Sequence, residues 1–237
     1  MTSKIITLCF WKRPVYATAV LDALRRCDGI ENYKLLIHLD GGGHPDMHYL
    51  AASVDFCERI VVKRADHLGC NDMTRIALHH GFSHSDYVIH VEEDVVLAPD
   101  ALRYFEWAEQ FGKDGGIFTV SGWRHPSGWL PESGKPYAPV MGGEARTEPF
   151  FTCWGWATWR DRWDEMDAHW TTGTDLSLSW DIAISGMRGE RYEIHPMISR
   201  AVNIGKLGGV HRGDSPLTYW AGSPGFTTPT VYKFHEC

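Results

Sequence analysis

The sequence predicts an α/β protein built on a doubly wound, mostly parallel sheet. Three observations carry this. Short apolar, β-branched runs alternate with helix-length segments through the first half of the chain. Glycine and acidic breakers close several of those runs. The spacing between them suits right-handed β-α-β units rather than hairpins.

The elements follow in order. Lys4–Phe10 (KIITLCF) is an apolar strand. Pro14 then opens a helix reaching Arg26, with Val15, Ala19 and Leu24 among its apolar positions. Lys34–Leu39 (KLLIHL) is a second strand, stopped by Asp40 and three glycines. Pro45–Cys57 is a weaker helix and Arg59–Lys63 a third strand. Asn71–Gly81 reads as helix, with Met73, Ile76, Ala77 and Leu78 as its apolar positions. Tyr87–Val91 (YVIHV) is a fourth strand, followed at once by Glu92-Glu93-Asp94. Pro99-Asp100 opens a helix through Phe111, and Ile117–Ser121 is a fifth strand. Residues 122–150 are rich in Gly, Pro and polar residues and read as one long loop. An aromatic block (PFFTCWGWATWRDRW), a helix near Ser179–Arg188, a short strand Tyr192–His195 and a Gly-rich tail complete the chain.

The 237 residues are expected to form a single domain. Residues 1–121 would be its ligand-binding part and 122–237 a Trp-rich lobe with mobile loops. Hydrophobic residues make up 43% and charged residues 22%, which excludes disorder, collagen and coiled coil. The longest charge-free apolar stretch, Pro149–Trp159, is too short to span a bilayer, so no integral membrane contact is expected. The net charge of −7 and the absence of a basic run argue against a broad polyanion-binding surface. A local groove around Arg124, Arg146, Arg160 and Arg162 stays open. Six cysteines without a CxxC pair suggest reduced thiols and a cytoplasmic location.

In open α/β sheets ligands bind beyond the carboxyl ends of the strands. Asp40 and the Glu92-Glu93-Asp94 triplet both fall there. Three adjacent carboxylates repel one another, and a hard divalent cation, Mn²⁺ or Mg²⁺, would relieve them. A solvated acidic turn before a helix is the plain alternative. The tryptophans allow two readings as well. Their faces suit sugar rings, and they equally suit the core of a small lobe. His211, in the tail, is either a metal or phosphate contact or a simple loop histidine. Arg188, Arg191 and Arg212 could meet phosphate, but surface charge is their default. No GxGxxG or P-loop sequence is present, which weighs against dinucleotide oxidoreductases and P-loop enzymes.

Three ordered segments carry a resemblance. VIHVEEDVVLAPDALRYF, then FFTCWGWATWRDRWDEM with SWDIAI, then HPMISRAVNIGKLGGVHRG resemble the N-acetylglucosaminyltransferase I family of the glycosyltransferase A fold, in that order, across roughly residues 4–213. The aromatic block also resembles small bacterial or phage-type proteins of the HlpA-like glycosyltransferase kind. The resemblance implies a Rossmann-like nucleotide-sugar-binding half and an acceptor-side lobe. It implies an inverting, metal-dependent transfer from a nucleotide sugar, a UDP sugar foremost. Asp94 would bind the metal, and Glu92 and Glu93 would contact the donor sugar and ribose. Asp40 would meet the nucleotide base, Arg13 the nucleotide, and Asn71 stands where the family has a base-contacting His. Asp181 matches the general base, and Arg200 a segment that orders over the donor. Trp154, Trp156 and Trp180 would face the acceptor. An inverting transfer needs one carboxylate to take the acceptor proton and needs no covalent nucleophile. An Asp at position 181 also suits a helix start, so both readings stand.

The acceptor stays open between a glycan, a glycolipid, a protein and a hydroxylated DNA base. Two other functions compete. A sugar-1-phosphate nucleotidyltransferase would want a Gly-rich phosphate loop where this chain has Trp11-Lys12-Arg13-Pro14. A non-catalytic carbohydrate-binding protein would have no use for a buried strand leading to three acids.

Overall fold

The structure is a computed structural model and describes residues 3–124, 145–148, 151–170, 179–196 and 198–205. Its elements run β1 (Lys4–Phe10), α1 (Pro14–Arg25), β2 (Tyr33–Leu39), α2 (Asp46–Ala52), β3 (Glu58–Lys63), α3 (Gly69–Phe82), β4 (Tyr87–Glu92) and β5 (Val95–Leu97). They continue α4 (Ala101–Glu109), β6 (Ile117–Ser121), β7 (Ala145–Glu148), β8 (Trp156–Trp159), α5 (Arg160–Ala168), α6 (Trp180–Met187), β9 (Tyr192–Pro196) and β10 (Ala201–Asn203).

Eight strands form one sheet in the order β3-β2-β1-β4-β8-β6-β9-β7. Strands β1 to β4 pair in parallel, β8 runs against both β4 and β6, and β6 and β9 are again parallel. The order turns outward from β1, with β2 on one side and β4 on the other. That crevice is the switch point where doubly wound sheets take ligands. A separate antiparallel pair, β5 with β10, covers the acidic turn after β4.

Strand alternation assigns residues to two cores. Ile6, Leu8 and Phe10 of β1 and Ile89 and Val91 of β4 face one layer, with Val20, Leu24, Leu102 and Phe105 of α1 and α4. Ile5 and Val88 face the other, with Leu78, Trp156, Trp163, Trp170, Trp180 and Ile184. The same alternation puts His90 and then Glu92 on this second face, toward α3 and α6.

The expected first-half elements are all present within a few residues at their ends. Four strands, β5, β7, β8 and β10, and one helix, α5, were not legible. Strand β8 (Trp156-Ala-Thr-Trp) lies inside the aromatic block and is buried along its whole length, so it shows no apolar-polar alternation. Strand β7 lies inside the stretch read as loop. It is an edge strand of Ala-Arg-Thr-Glu held by backbone pairing with β9. Helix α5 is highly polar and shows its buried face through Arg162, Trp163 and Met166.

A polar layer runs between α3 and the sheet. Thr7 Oγ1 and His90 Nδ1 are 2.9 Å apart, and His38 Nε2 and His80 Nδ1 are 3.0 Å apart. Burial pushes His38 down to about 4, with His80 and Arg64 adding like charge. Burial pushes His90 down to about 3, with His38 adding to it. An imidazole depressed in the folded state contributes its stability above the unfolded value of about 6.5 and loses it as pH falls toward the folded value. The stability difference between wild type and His38→Gln is therefore expected to be constant above pH 7. It should shrink between pH 6.5 and 4, by roughly 3 kcal/mol at most. Denaturant unfolding of both proteins across that range checks it, and a pH-independent difference refutes it.

Candidate active site

A cleft of about 240 Å³ opens at the carboxyl ends of β1, β2 and β4. Phe10, Trp11, Arg13, Asp40, His67, Asn71, Glu92 and Glu93 are among its lining residues. Arg13, at the start of α1, spans the acidic turn. Its Nε lies 2.6 Å from Glu93 Oε1 and its Nη1 lies 2.7 Å from Asp94 Oδ2. Glu93 Oε2 also accepts the Trp11 backbone N–H at 2.8 Å, which ties the triplet to the end of β1. Asn203 Nδ2 reaches Asp94 Oδ1 at 3.4 Å, and the Ile204 N–H donates to the Asp94 carbonyl at 2.8 Å. Gly205 packs so closely on the Asp94 carboxylate that a Cβ there would overlap it.

The triplet holds more negative charge than Arg13 offsets. Burial, with Asp94 and Asp181 behind it, pushes Glu92 well above the ordinary carboxylate range. Burial pushes Asp94 up too, against the pull of Arg13. Among the described residues no group of three or more His, Cys, Asp or Glu side chains is disposed to hold a metal ion. A cation with Asp94 as its protein ligand still fits the chemistry, because the uncompensated charge on Glu92 and Asp94 favours one. His211 lies outside the described residues.

Asp40 stands at the cleft wall, but its carboxylate is already engaged. Oδ1 accepts the N–H groups of Gly41 and Leu68, each at 2.8 Å. Oδ2 accepts the Gly69 N–H at 3.1 Å and lies 2.7 Å from His67 Nδ1. Asp40 thus builds the loop that leads into α3. At Gly41 only a residue without a Cβ fits, since the Asp66 carbonyl occupies the space. The same loop carries a flat aromatic pair that sequence reasoning missed. The His67 imidazole stacks on Trp11 with centroids 4.2 Å apart and planes within 7°. Lys12 Nζ covers the Trp11 ring at 3.8 Å. Position 11, directly after a cleft-facing strand, was the available signal.

Asp181 lies in the first turn of α6 and is half-buried. The Ser179 hydroxyl donates to its Oδ1. The residue before it, Trp180, donates its Nε1–H to Cys70 Sγ, and Cys70 lines the cleft, so α6 starts next to the cleft.

The other expected site residues take the following places. Trp156 and Trp180 are 0% and 2% exposed, so neither offers a face to an acceptor. Phe151, Trp170 and each other's rings enclose them. A ring this size contributes roughly 3–5 kcal/mol when buried, which accounts for them as core. Trp154 is half-buried and packs edge-on against Trp123 at 4.6 Å. Arg200 is buried and its Nε pairs with Asp100 Oδ2 at 2.9 Å, so it braces the start of α4 rather than covering a donor. Asn71 is 3% exposed, and its Oδ1 accepts the backbone N–H of Trp180 at 3.0 Å. Arg160 pairs with Asp86, and Arg162 is buried against Asp161 and three backbone carbonyls, so these two side chains are committed within the fold. Arg191 pairs with Glu165.

Residues 63–215 match the model of the GNT-I family. The chain belongs to the GNT-I family. Within curated proteins it is 30% identical over 124 residues to the Arabidopsis thaliana alpha-1,3-mannosyl-glycoprotein 2-beta-N-acetylglucosaminyltransferase, a match covering 51% of this chain and 25% of that protein. The chain therefore spans about a quarter of that relative. Two solved structures share its fold. S. aureus TarS 1-349 in complex with UDP-GlcNAc superposes with a TM-score of 0.58 at 12% identity, covering 84% of this chain and 57% of that one. The mannosyltransferase PcManGT from Pyrobaculum calidifontis, in complex with GDP-Man and Mn²⁺, gives 0.57 at 12%, with the same coverage. The fold of this GNT-I family chain is the glycosyltransferase A fold. Among its described residues no helix is long and apolar enough to cross a membrane.

Proposed function

We propose that the protein is an inverting, metal-dependent glycosyltransferase that moves a sugar from a nucleotide sugar, a UDP sugar foremost, to an acceptor hydroxyl. The observation that carries this is the union of an under-compensated acidic turn with a cleft at the switch point and a carboxylate, Asp181, at the start of a helix whose Trp180 bonds the cleft-lining Cys70. The family membership supports it, as do the nucleotide sugars bound by the two structural neighbours.

In this reading the nucleotide lies along the cleft between β1, β2 and the start of α3. The base rests against the Trp11–His67 loop that Asp40 builds, and Arg13 meets the phosphates. Glu92 and Glu93 bound the sugar and ribose. Asp94 would hold Mn²⁺ or Mg²⁺, which would supply positive charge against the diphosphate leaving group. Asp181 takes the acceptor proton, and Trp154 is the remaining tryptophan of the three placed on the acceptor side. His211 would join the metal from the tail. The acceptor is a glycan, glycolipid, protein or hydroxylated DNA base. A cytoplasmic location fits the five described cysteines, which are all free.

Thermal unfolding against nucleotide sugars, with Mn²⁺ and with chelator, tests the reading. At about 100-fold the dissociation constant, a ligand adds roughly 2.7 kcal/mol of stability. We expect a Mn²⁺-dependent upward shift with one UDP sugar. No shift with any nucleotide would refute the donor site. Sugar binding indifferent to metal and nucleotide would favour a carbohydrate-binding protein.

A further inference from the structure

The α3 start, between the cleft and α6, joins two parts of the site that the sequence keeps 110 residues apart in Cys70 and Trp180. On its cleft side the N–H groups of Leu68 and Gly69 are fixed by Asp40. On its other side two bonds run to Trp180, beside Asp181, and one to Trp170 after α5. Asn71 Oδ1 accepts the Trp180 N–H at 3.0 Å, and the Asn71 carbonyl accepts Trp170 Nε1 at 3.0 Å. Trp180 Nε1 donates to Cys70 Sγ at 3.2 Å. Trp170 and Trp180 then stack with planes within 7° and centroids 5.9 Å apart.

A helix start leaves its first N–H groups without intrahelical partners. Residues before a helix commonly supply the acceptor from their own side chain. Here Ser179 directs its hydroxyl to Asp181 instead, and the acceptor for the Trp180 N–H comes from another helix. Asn71 thus ties the first N–H of α6 to α3.

We infer that Asn71 is a positioning residue for Asp181, and that through α3 the nucleotide-binding loop and the base form one rigid corner. The inference rests on the reading of Asp181 as base. It replaces donor contact with a structural purpose: the Asn71 amide oxygen faces the backbone of α6. A base displaced by about 1 Å can cost on the order of a hundredfold in rate.

The probe is UDP-N-acetylglucosamine with Mn²⁺, and turnover is read as UDP release, with water as the acceptor. Asn71→Leu keeps the volume and removes the acceptor oxygen. We expect kcat to fall roughly 10- to 100-fold with the affinity for UDP and Mn²⁺ within twofold of wild type. The near-UV circular dichroism of the stacked tryptophans should change with it. Asn71→Asp restores an acceptor oxygen and should recover much of the dichroism signal. Asp181→Asn is the reference for losing the base. Lost UDP affinity with unchanged kcat would make Asn71 a donor contact and overturn the inference, as would unchanged kcat and dichroism. Full turnover in Asp181→Asn would instead remove the base reading, and this inference with it. Should Asn71→Leu fail to fold, Asn71→Ala is read in the same way; wild-type turnover in that variant overturns the inference.

Discussion

Asp181→Asn will bind UDP sugar and Mn²⁺ as wild type does and transfer sugar at least a hundredfold more slowly. General base catalysis by a positioned carboxylate contributes about 10²–10⁴-fold, and an amide cannot accept the proton. The substitution is nearly isosteric, and Asp181 is half-buried at a helix start, so the fold tolerates it. The Ser179 hydroxyl can donate to the amide oxygen as it does to the carboxylate. Asp181 also raises Glu92 by its charge, so the neutral variant relaxes the acidic turn slightly. Metal-supported donor binding should hold or tighten while kcat collapses. That split separates a base from a donor ligand, which would lose affinity instead. Wild-type kcat in this variant would sink the assignment.

Much of the fold was legible because βα repetition is written in local pattern. KIITLCF, KLLIHL and YVIHV are buried strands, and Pro14 marks a helix start that the structure keeps. What was illegible depends on distant partners. Strand β8 exists because β4 and β6 flank it, and β7 because β9 offers an edge. The site divides along the same line. An acidic triplet after a strand is visible in sequence, since backbone direction alone delivers it to the sheet edge. The purposes of Asn71, Asp40 and Arg200 are not visible, because each is decided by which backbone groups or charges the fold brings to it. The tryptophans teach the same lesson: Trp156 and Trp180 lie near the cleft in sequence logic, yet their rings fill the layer beneath it.

The acidic turn yields a prediction whose two halves have opposite signs. Asp94→Ala should lose the Mn²⁺-dependent donor shift, yet in chelator it should be as stable as wild type or more so. Without a bound cation Asp94 adds repulsion to Glu92, and burial pushes both carboxyls upward. Removing it relieves that repulsion. It also costs the Arg13 Nη1 pair at 2.7 Å, but Arg13 Nε keeps Glu93 at 2.6 Å, so the guanidinium is not stranded. With UDP sugar and Mn²⁺ present the balance reverses, since the proposed protein ligand of the cation is gone. Unfolding midpoints of both proteins, in chelator and in Mn²⁺ with UDP sugar, give four values. If Asp94 holds the cation, the wild type gains on going from chelator to the loaded state and the variant does not. An equal gain in both would take the cation away from Asp94. A variant much less stable in chelator would mean that the Arg13–Asp94 pair outweighs the repulsion. The turn would then be a structural ion-pair cluster whose charge Arg13 already satisfies.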